Sequence, residues 1–184
     1  MRGVTMRRSW RGFTLVELMA VVAIVAVLAV VATFSYKRYM RRTRIMEGTS
    51  FLMDIQMKQE SYFMTYSRYV DTGANSDDFY PANGDFQNKK LPITWGWNCA
   101  ATGLATGPTG FCLLGIVPQS PYTYFQYVTI GWQPGKADPS TDYIRDPTKR
   151  WWYARARTYP DDTTGTSVEL RLSSELQDIV ELDM

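Results

Sequence analysis

Glu17 is the side chain with the clearest chemical consequence in this sequence. It is the only charged residue in the apolar stretch from Phe13 to Tyr36, which is 24 residues long. A lone carboxylate in a membrane-length helix costs about 2.5–3.5 kcal/mol to insert into a bilayer. Glu17 therefore requires a positively charged partner, and the chemistry that it suggests is ion pairing.

The apolar stretch is long enough to form a membrane anchor. At 1.5 Å per residue, a helix of this length crosses a hydrocarbon core of about 30 Å. Four arginines and no acidic residue precede it, namely Arg2, Arg7, Arg8 and Arg11. The positive-inside rule then places the N-terminus in the cytoplasm and the rest of the chain across the inner membrane. Two alternatives rank lower: a secretory signal cleaved after Ala32, and twin-arginine export through Arg7 and Arg8.

The residues around Glu17 resemble a known processing signal. Gly12 is followed by the run Phe-Thr-Leu-Val-Glu-Leu-Met-Ala-Val-Val-Ala-Ile, which is similar to the class III signal of type IV pilins and type II secretion pseudopilins. The resemblance implies that a prepilin peptidase cleaves between Gly12 and Phe13, methylates Phe13, and leaves Glu17 at the fifth mature position. It also implies other pilin subunits and a pilus assembly platform as partners.

Cleavage would supply the missing counter-charge. A new α-amine at Phe13 has a reference pKa of about 7.7–8.0 and is a cation near the membrane boundary. Between staggered helices, Glu17 of one chain can meet the amine of another, and such a pair would favour assembly and set the axial register. The alternative is that Glu17 merely reaches the membrane interface, which its short side chain does poorly.

Helical periodicity continues beyond the anchor. Apolar residues recur at spacings of three, four and seven, and no proline interrupts the chain before Pro81. Ala26 and Phe34 stand where many pilins have a glycine and a proline, which favours an unbroken helix. We predict one helix from about residue 13 to about residue 66. A second line of Met46, Met53, Met57 and Met64 is expected first as core filler and second as a contact surface between subunits.

The chain divides into three predicted parts: a cytoplasmic leader (1–12), a membrane or filament-core segment (13–36), and an exported head (37–184). Residues 45–184 hold 11 basic and 17 acidic residues, so this region has a charge of −6. Five bases crowd the outer end of the anchor: Lys37, Arg38, Arg41, Arg42 and Arg44. They could contact lipid phosphates or acidic neighbours, or form an ordinary solvated helix end.

Residues 70–121 are rich in glycine, asparagine, aspartate, threonine and proline, and predict a long connection with one or two short strands. Cys99 and Cys112 lie within it. In an exported domain they favour a disulfide, which would close a loop of about 14 residues and contribute roughly 3 kcal/mol. A pair of free buried thiols is the alternative, and the absence of histidine argues against zinc.

Strand patterns follow at residues 122–130, 150–159 and 168–172, with a hairpin loop at 161–165. These predict an α+β fold in which a small antiparallel sheet packs on the outer half of the helix. In the second strand, Trp152, Ala154 and Ala156 share the face expected to meet the helix. The opposite face should be exposed, basic and aromatic, which makes it a tentative contact surface; its residues include Tyr153, Arg155, Arg157 and Tyr159.

Such a face has two interpretations. Arginines between aromatic residues can follow a phosphate backbone and stack on bases. They can equally cover a sheet or a subunit contact, and we prefer this second interpretation because the head is acidic.

The sequence offers little support for catalysis. It contains no histidine, which excludes histidine-based triads and imidazole proton shuttles. Asp138, Asp142 and Asp146 could approach a calcium ion, and some pseudopilins bind calcium in a late loop, but their spacing matches no motif. We expect no enzymatic activity, no cofactor and no metal site.

The resemblance and the residues together predict a structural subunit of a type IV pilus or related filament, minor rather than major. It would reside in the inner membrane before assembly and then in a periplasmic or cell-surface filament. The alternatives are a type II secretion pseudopilin, or an exported binding or enzymatic domain that uses the apolar run only for export.

Overall fold

The computed structural model describes residues 12–82, 93–94, 109–117, 120–133, 144, 146, 148–158, 167–176 and 178–183. Its elements follow the order α1, β1, α2 and then β2 to β6. The chain forms two compact units, Met1–Met40 and Arg41–Met184, which are described separately.

Helix α1 spans Leu15–Tyr66 without a break, which confirms the predicted continuous helix. Its start lies two residues after the predicted one. In the first unit the apolar side chains of α1 are exposed, from Leu15 at 75 % to Phe34 at 69 %. By length and composition, α1 is the helix among the described residues that could cross a membrane.

The second unit contains a four-stranded antiparallel sheet in the order β3-β4-β5-β6. The strands are β3 (Gln126–Gly131), β4 (Trp152–Thr158), β5 (Val168–Ser173) and β6 (Val180–Asp183). Ala154 pairs with Leu172 and Ala156 with Leu170. The α+β prediction is therefore confirmed, although β6 was not anticipated because its four residues are too few to show alternation.

The predicted strand 122–130 is divided in two. The short strand β2 (Tyr122–Thr123) pairs with β1 (Ile93–Thr94), while β3 begins at Gln126. The Thr123 hydroxyl accepts a hydrogen bond from the backbone N–H of Phe125 at 3.1 Å. Such local side-chain bonds favour a turn over a continuous strand.

The outer part of α1, residues 41–66, packs on one face of the sheet. The helix buries Gly48, Leu52, Ile55 and Gln59. The main core joins Leu52 and Ile55 to a larger set of apolar residues that includes Trp152, Ala154, Ala156, Leu170 and Leu172. This confirms the face predicted to meet the helix. A Cβ atom at Gly48 would lie 2.8 Å from Cζ of Phe125, so glycine permits the close approach of helix and sheet.

The four methionines of the predicted second line lie away from this core. Met46, Met53, Met57 and Met64 are exposed by 70 %, 51 %, 63 % and 83 %. The expectation that they fill the core is wrong, because the stripe occupies the side of the helix opposite Leu52 and Ile55. Their role as a contact surface stays a prediction.

The connection between α1 and β3 contains the predicted short strand β1 and an unexpected helix, α2 (Thr109–Leu114). Phe111 and Leu114 of α2 are buried in the main core. The helix ends in a Schellman arrangement: Gly115 has φ of 66°, and the N–H of Ile116 donates to the carbonyl of Phe111 at 3.0 Å. A six-residue helix held by tertiary contacts has too few turns to show periodicity.

Candidate functional site

The predicted processing point lies just before α1. Gly12, Phe13 and Thr14 are not helical, and Phe13 is 84 % exposed. The peptide bond between Gly12 and Phe13 is therefore on irregular, accessible backbone. A peptidase needs such backbone because a helical segment hides its peptide groups in internal hydrogen bonds.

Glu17 and Thr14 together cap the start of α1. The Glu17 carboxylate accepts hydrogen bonds from the Thr14 N–H at 2.9 Å and from the Thr14 hydroxyl at 3.0 Å. In return the Glu17 N–H donates to the Thr14 hydroxyl oxygen at 3.2 Å. This is a capping box, in which two otherwise unpaired backbone donors are satisfied reciprocally.

The capping box gives Glu17 a role that the sequence reasoning missed. The pattern Thr14-Leu15-Val16-Glu17 is the S/T-x-x-E signature and could have been found from the sequence. Both bonds to the carboxylate use Oε2, so Oε1 has no partner within the described part of the chain. The cap therefore leaves one carboxylate oxygen for an incoming cation.

The outer face of the sheet differs from its prediction. Tyr153 is 4 % exposed and Arg155 is 7 % exposed, so the expected open face is wrong for these two residues. Phe79 and Ile144 cover this side and form a second apolar cluster with Tyr153. Tyr159 lies outside the described residues.

Arg155 is held in a buried ion network. Its Nε and Nη2 atoms donate to the two carboxylate oxygens of Glu169 at 2.7 Å and 2.9 Å. Its Nη1 atom donates to the Ser76 carbonyl at 2.6 Å and to Asp77 at 2.9 Å. Arg171 donates from Nε to Glu169 at 2.6 Å. The network ties the segment before Phe79 to the sheet and leaves Arg155 unavailable to a ligand.

Glu169 is the centre of this network, and its side chain is fully buried. Burial raises the pKa of the Glu169 carboxyl, but hydrogen bonds from Arg155 and Arg171 outweigh that effect and hold the pKa below its ordinary value. The carboxylate is thus charged at neutral pH and pairs with two guanidinium groups.

Among the predicted contact residues of this face that the structure describes, Arg157 alone is half-buried. Its guanidinium lies 4.0 Å from the centre of the Phe79 ring. Its Nε donates to the Gln126 side-chain oxygen at 2.9 Å. Arg157 therefore helps to hold Phe79 over the sheet.

A second basic and aromatic group lies beside the N-terminal end of β4; its arginine is exposed, two of its rings are half-buried and one is buried. The Arg150 guanidinium lies 5.2 Å from the centre of the Phe63 ring and 5.5 Å from that of Trp132. Phe63 in turn stacks on Tyr69 at 4.6 Å. We call Arg150, Phe63, Trp132 and Tyr69 the Arg150 cluster. The sequence placed Arg150 in a strand pattern but gave no means of bringing these four residues together.

The remaining predicted site residues are only partly described. Cys112 lies in α2, whereas Cys99 lies outside the described residues, and the disulfide between them stays a prediction. Asp138 and Asp142 also lie outside. Asp146 accepts hydrogen bonds from Thr148 and Lys149, which lower its pKa to about 2. Within the described ranges, no group of three potential metal ligands occurs.

Two family models match the chain. Residues 8–33 match the prokaryotic N-terminal methylation motif. Residues 35–94 match the model described as type IV minor pilin ComP, DNA uptake sequence receptor. No curated protein and no solved structure matches the chain.

The methylation motif, the long N-terminal helix and the antiparallel sheet define a subunit of the type IV pilin class. Members of this class are structural proteins. Together with the second match, these findings support a minor type IV pilin structural subunit. Its apolar helix fits a protein that is anchored in a membrane and then joins a surface filament, and the alternatives of a pseudopilin or a domain that is only exported are not favoured.

Proposed function

We propose that prepilin peptidase cleaves this chain between Gly12 and Phe13 and that Glu17 then pairs with the Phe13 amine of a neighbouring pilin. The N-terminus would face the cytoplasm before cleavage, and residues 37–184 would form the exported head. The methylation motif at residues 8–33 is the observation that carries this proposal. The exposed, non-helical backbone at Gly12 to Thr14 supports it.

Mass spectrometry of the mature N-terminus tests the cleavage. We expect N-methylated Phe13 as the first residue of the protein from membranes and filaments. Retention of Met1, or cleavage after Ala32, would show that the apolar run serves only as an anchor or an export signal.

Two Glu17 variants separate its pairing role from its capping role. Glu17→Gln keeps an oxygen that can accept from Thr14 but removes the charge, whereas Glu17→Ala removes both. We expect both variants to insert into the membrane and both to enter filaments poorly, measured as the ratio of filament-bound to membrane-bound protein. Normal incorporation of Glu17→Gln would mean that the capping bonds, and not the charge, explain the presence of this residue.

A second proposed function is DNA binding, which the match to the DNA uptake sequence receptor favours. We propose that Arg150, with the half-buried rings of Phe63 and Trp132 from the Arg150 cluster, forms the contact surface. Phe63 and Tyr69 lie within the matched residues, and Arg150 is exposed above Phe63. A cation flanked by aromatic rings can neutralise a phosphate and stack on a base.

Fluorescence anisotropy with a short DNA duplex tests this second function. We expect the full-length chain in detergent to bind DNA, and Arg150→Ala to weaken binding and to reduce the slope of log K against log salt by about 1. Arg42→Ala is the matched control, because Arg42 is also exposed but lies on α1 outside the cluster. Equal effects of the two substitutions would assign the binding to overall charge, and no binding would exclude DNA as a ligand.

A further inference from the structure

A cleft of about 810 Å³ lies between the outer part of α1 and the segment that contains β2. Glu47, Phe51 and Asp54 line its helical wall, and Tyr122 and Tyr124 line the opposite wall. Its volume falls within the range of about 300–1,000 Å³ that is common for ligand sites. We call it the α1 cleft.

The two carboxylates of the α1 cleft have different roles. Oε1 of Glu47 accepts hydrogen bonds from the Thr123 hydroxyl at 2.8 Å and from the Tyr124 N–H at 3.0 Å. These bonds fix the β2 wall against the helix. Asp54 makes no hydrogen bond or ion pair with any residue that the structure describes. The cleft therefore combines a braced wall with a carboxylate that is still available.

The lining favours a cation. An available carboxylate attracts a positive group, and tyrosine rings stabilise a guanidinium or ammonium group placed against their faces. The Arg44 guanidinium, which does not line the cleft, lies 4.6 Å from the centre of the Tyr124 ring and is an example of this type of contact. An anionic ligand would be repelled by Glu47 and Asp54.

We propose that the α1 cleft binds an arginine or lysine side chain presented by a neighbouring filament subunit. The choice of a neighbouring subunit as the source of this side chain rests on the proposed assembly of the chain into a filament. A neighbouring copy of this chain would present suitable side chains. Lys37, Arg38 and Arg42 are exposed on α1 and have no partner in the described part of the chain. A subunit with a similar basic segment therefore complements the cleft in charge.

The spacing of charges on α1 is compatible with this contact. Arg42 and Asp54 are 12 residues apart in one helix, which corresponds to about 18 Å along its axis. Parallel neighbouring helices displaced by about this distance bring the basic segment of one subunit to the level of the cleft of the next. A contact between two different surfaces of this kind can repeat along a filament.

A peptide that copies residues 37–44, with its ends blocked, is the probe for this site. Its binding to the full-length chain in non-ionic detergent is measured by fluorescence anisotropy. We expect saturable binding that is lost when all five basic residues of the peptide are replaced by glutamine. We expect Asp54→Asn to weaken binding about tenfold, because one charge-assisted hydrogen bond is lost.

Asp178→Asn is the matched control, since Asp178 is an exposed carboxylate outside the cleft. Tyr122→Ala tests the aromatic wall and should also weaken binding. Thermal unfolding of each variant shows that the fold is retained. Equal affinities of the Asp54→Asn and Asp178→Asn variants, or no binding to the unaltered chain, would overturn the inference.

The peptide assay requires neither cleavage before Phe13 nor filament assembly. A negative result therefore overturns the cation site and leaves the proposed processing intact. Retention of Met1 in the mature protein would overturn the proposed processing instead.

Discussion

Replacement of Glu169 by alanine should destabilise the head more than any other single charge removal described above. Glu169 is fully buried and bonds to Arg155 through both oxygens at 2.7 Å and 2.9 Å. The substitution would leave Arg155, which is 7 % exposed, with Asp77 as its only acidic partner in the described network. Asp77 compensates poorly because its side chain is 76 % exposed.

The magnitude follows from the cost of leaving a buried charge without its partner. Removal of one member of a buried ion pair costs about 3–5 kcal/mol. For a protein of this size, 1 kcal/mol changes Tm by about 2–4 °C. We therefore expect Glu169→Ala to lower Tm by about 6–20 °C at neutral pH, measured by circular dichroism on the full-length chain in detergent.

Asp77→Asn is the control from the same network. Because exposed ion pairs contribute only about 0–1 kcal/mol, this substitution should change Tm by no more than about 4 °C. If Glu169→Ala lowered Tm no more than Asp77→Asn does, the ion network around Glu169 would not hold the segment before Phe79 to the sheet. The network would then not explain why the outer face of the sheet is covered.

Three further predictions concern the same unit. The pKa of Glu169 lies below its ordinary value of 4.5. The stability that the Glu169 carboxylate contributes should therefore be complete above about pH 4.5 and lost as the pH falls through the folded-state pKa. A Tm difference between the unaltered chain and Glu169→Ala that persisted at lower pH would contradict this. Gly48→Val should destabilise by about 1–3 kcal/mol in urea unfolding, since added side-chain atoms would overlap Phe125, and an unchanged midpoint would show that the helix can move away from the sheet at no cost. Gln59→Ala should lower the free energy of unfolding by about 1–3 kcal/mol, because the buried N–H and carbonyl of Val70 would lose the Gln59 amide that bonds to both. Native-state hydrogen exchange at Val70 should accelerate, and unaltered exchange would exclude this role of Gln59.

Residue patterns predicted the parts of the fold that depend on local periodicity. The end of α1 at Tyr66 and the helix-facing side of β4 follow from apolar spacing alone. Ala154 and Ala156 indicated close packing because small residues admit a helix. The Thr14 to Glu17 cap was not predicted, although its pattern depends on only four consecutive residues.

Features that depend on distant residues could not be predicted in this way. The exposed-face prediction for Arg155 failed because its partner Ser76 is 79 positions away in the chain. Met46, Met53, Met57 and Met64 have the spacing of a core stripe, but the sheet packs on the other side of the helix. The Arg150 cluster joins residues from three separate segments, and no pattern in any one of them indicates the contact.

The polar ties between α1 and the rest of its unit have a mechanical consequence. Glu47 bonds to Thr123 and Tyr124, Gln59 bonds to Val70, and the Glu60 carboxylate accepts from Nε1 of Trp152 at 2.6 Å. These ties occur along about 20 Å of helix. Tension applied along the helix would load them in shear, so that they share the force and must rupture together. A single-molecule pulling experiment should therefore record one high-force unfolding event. A series of separate low-force events would show that these hydrogen bonds break one after another.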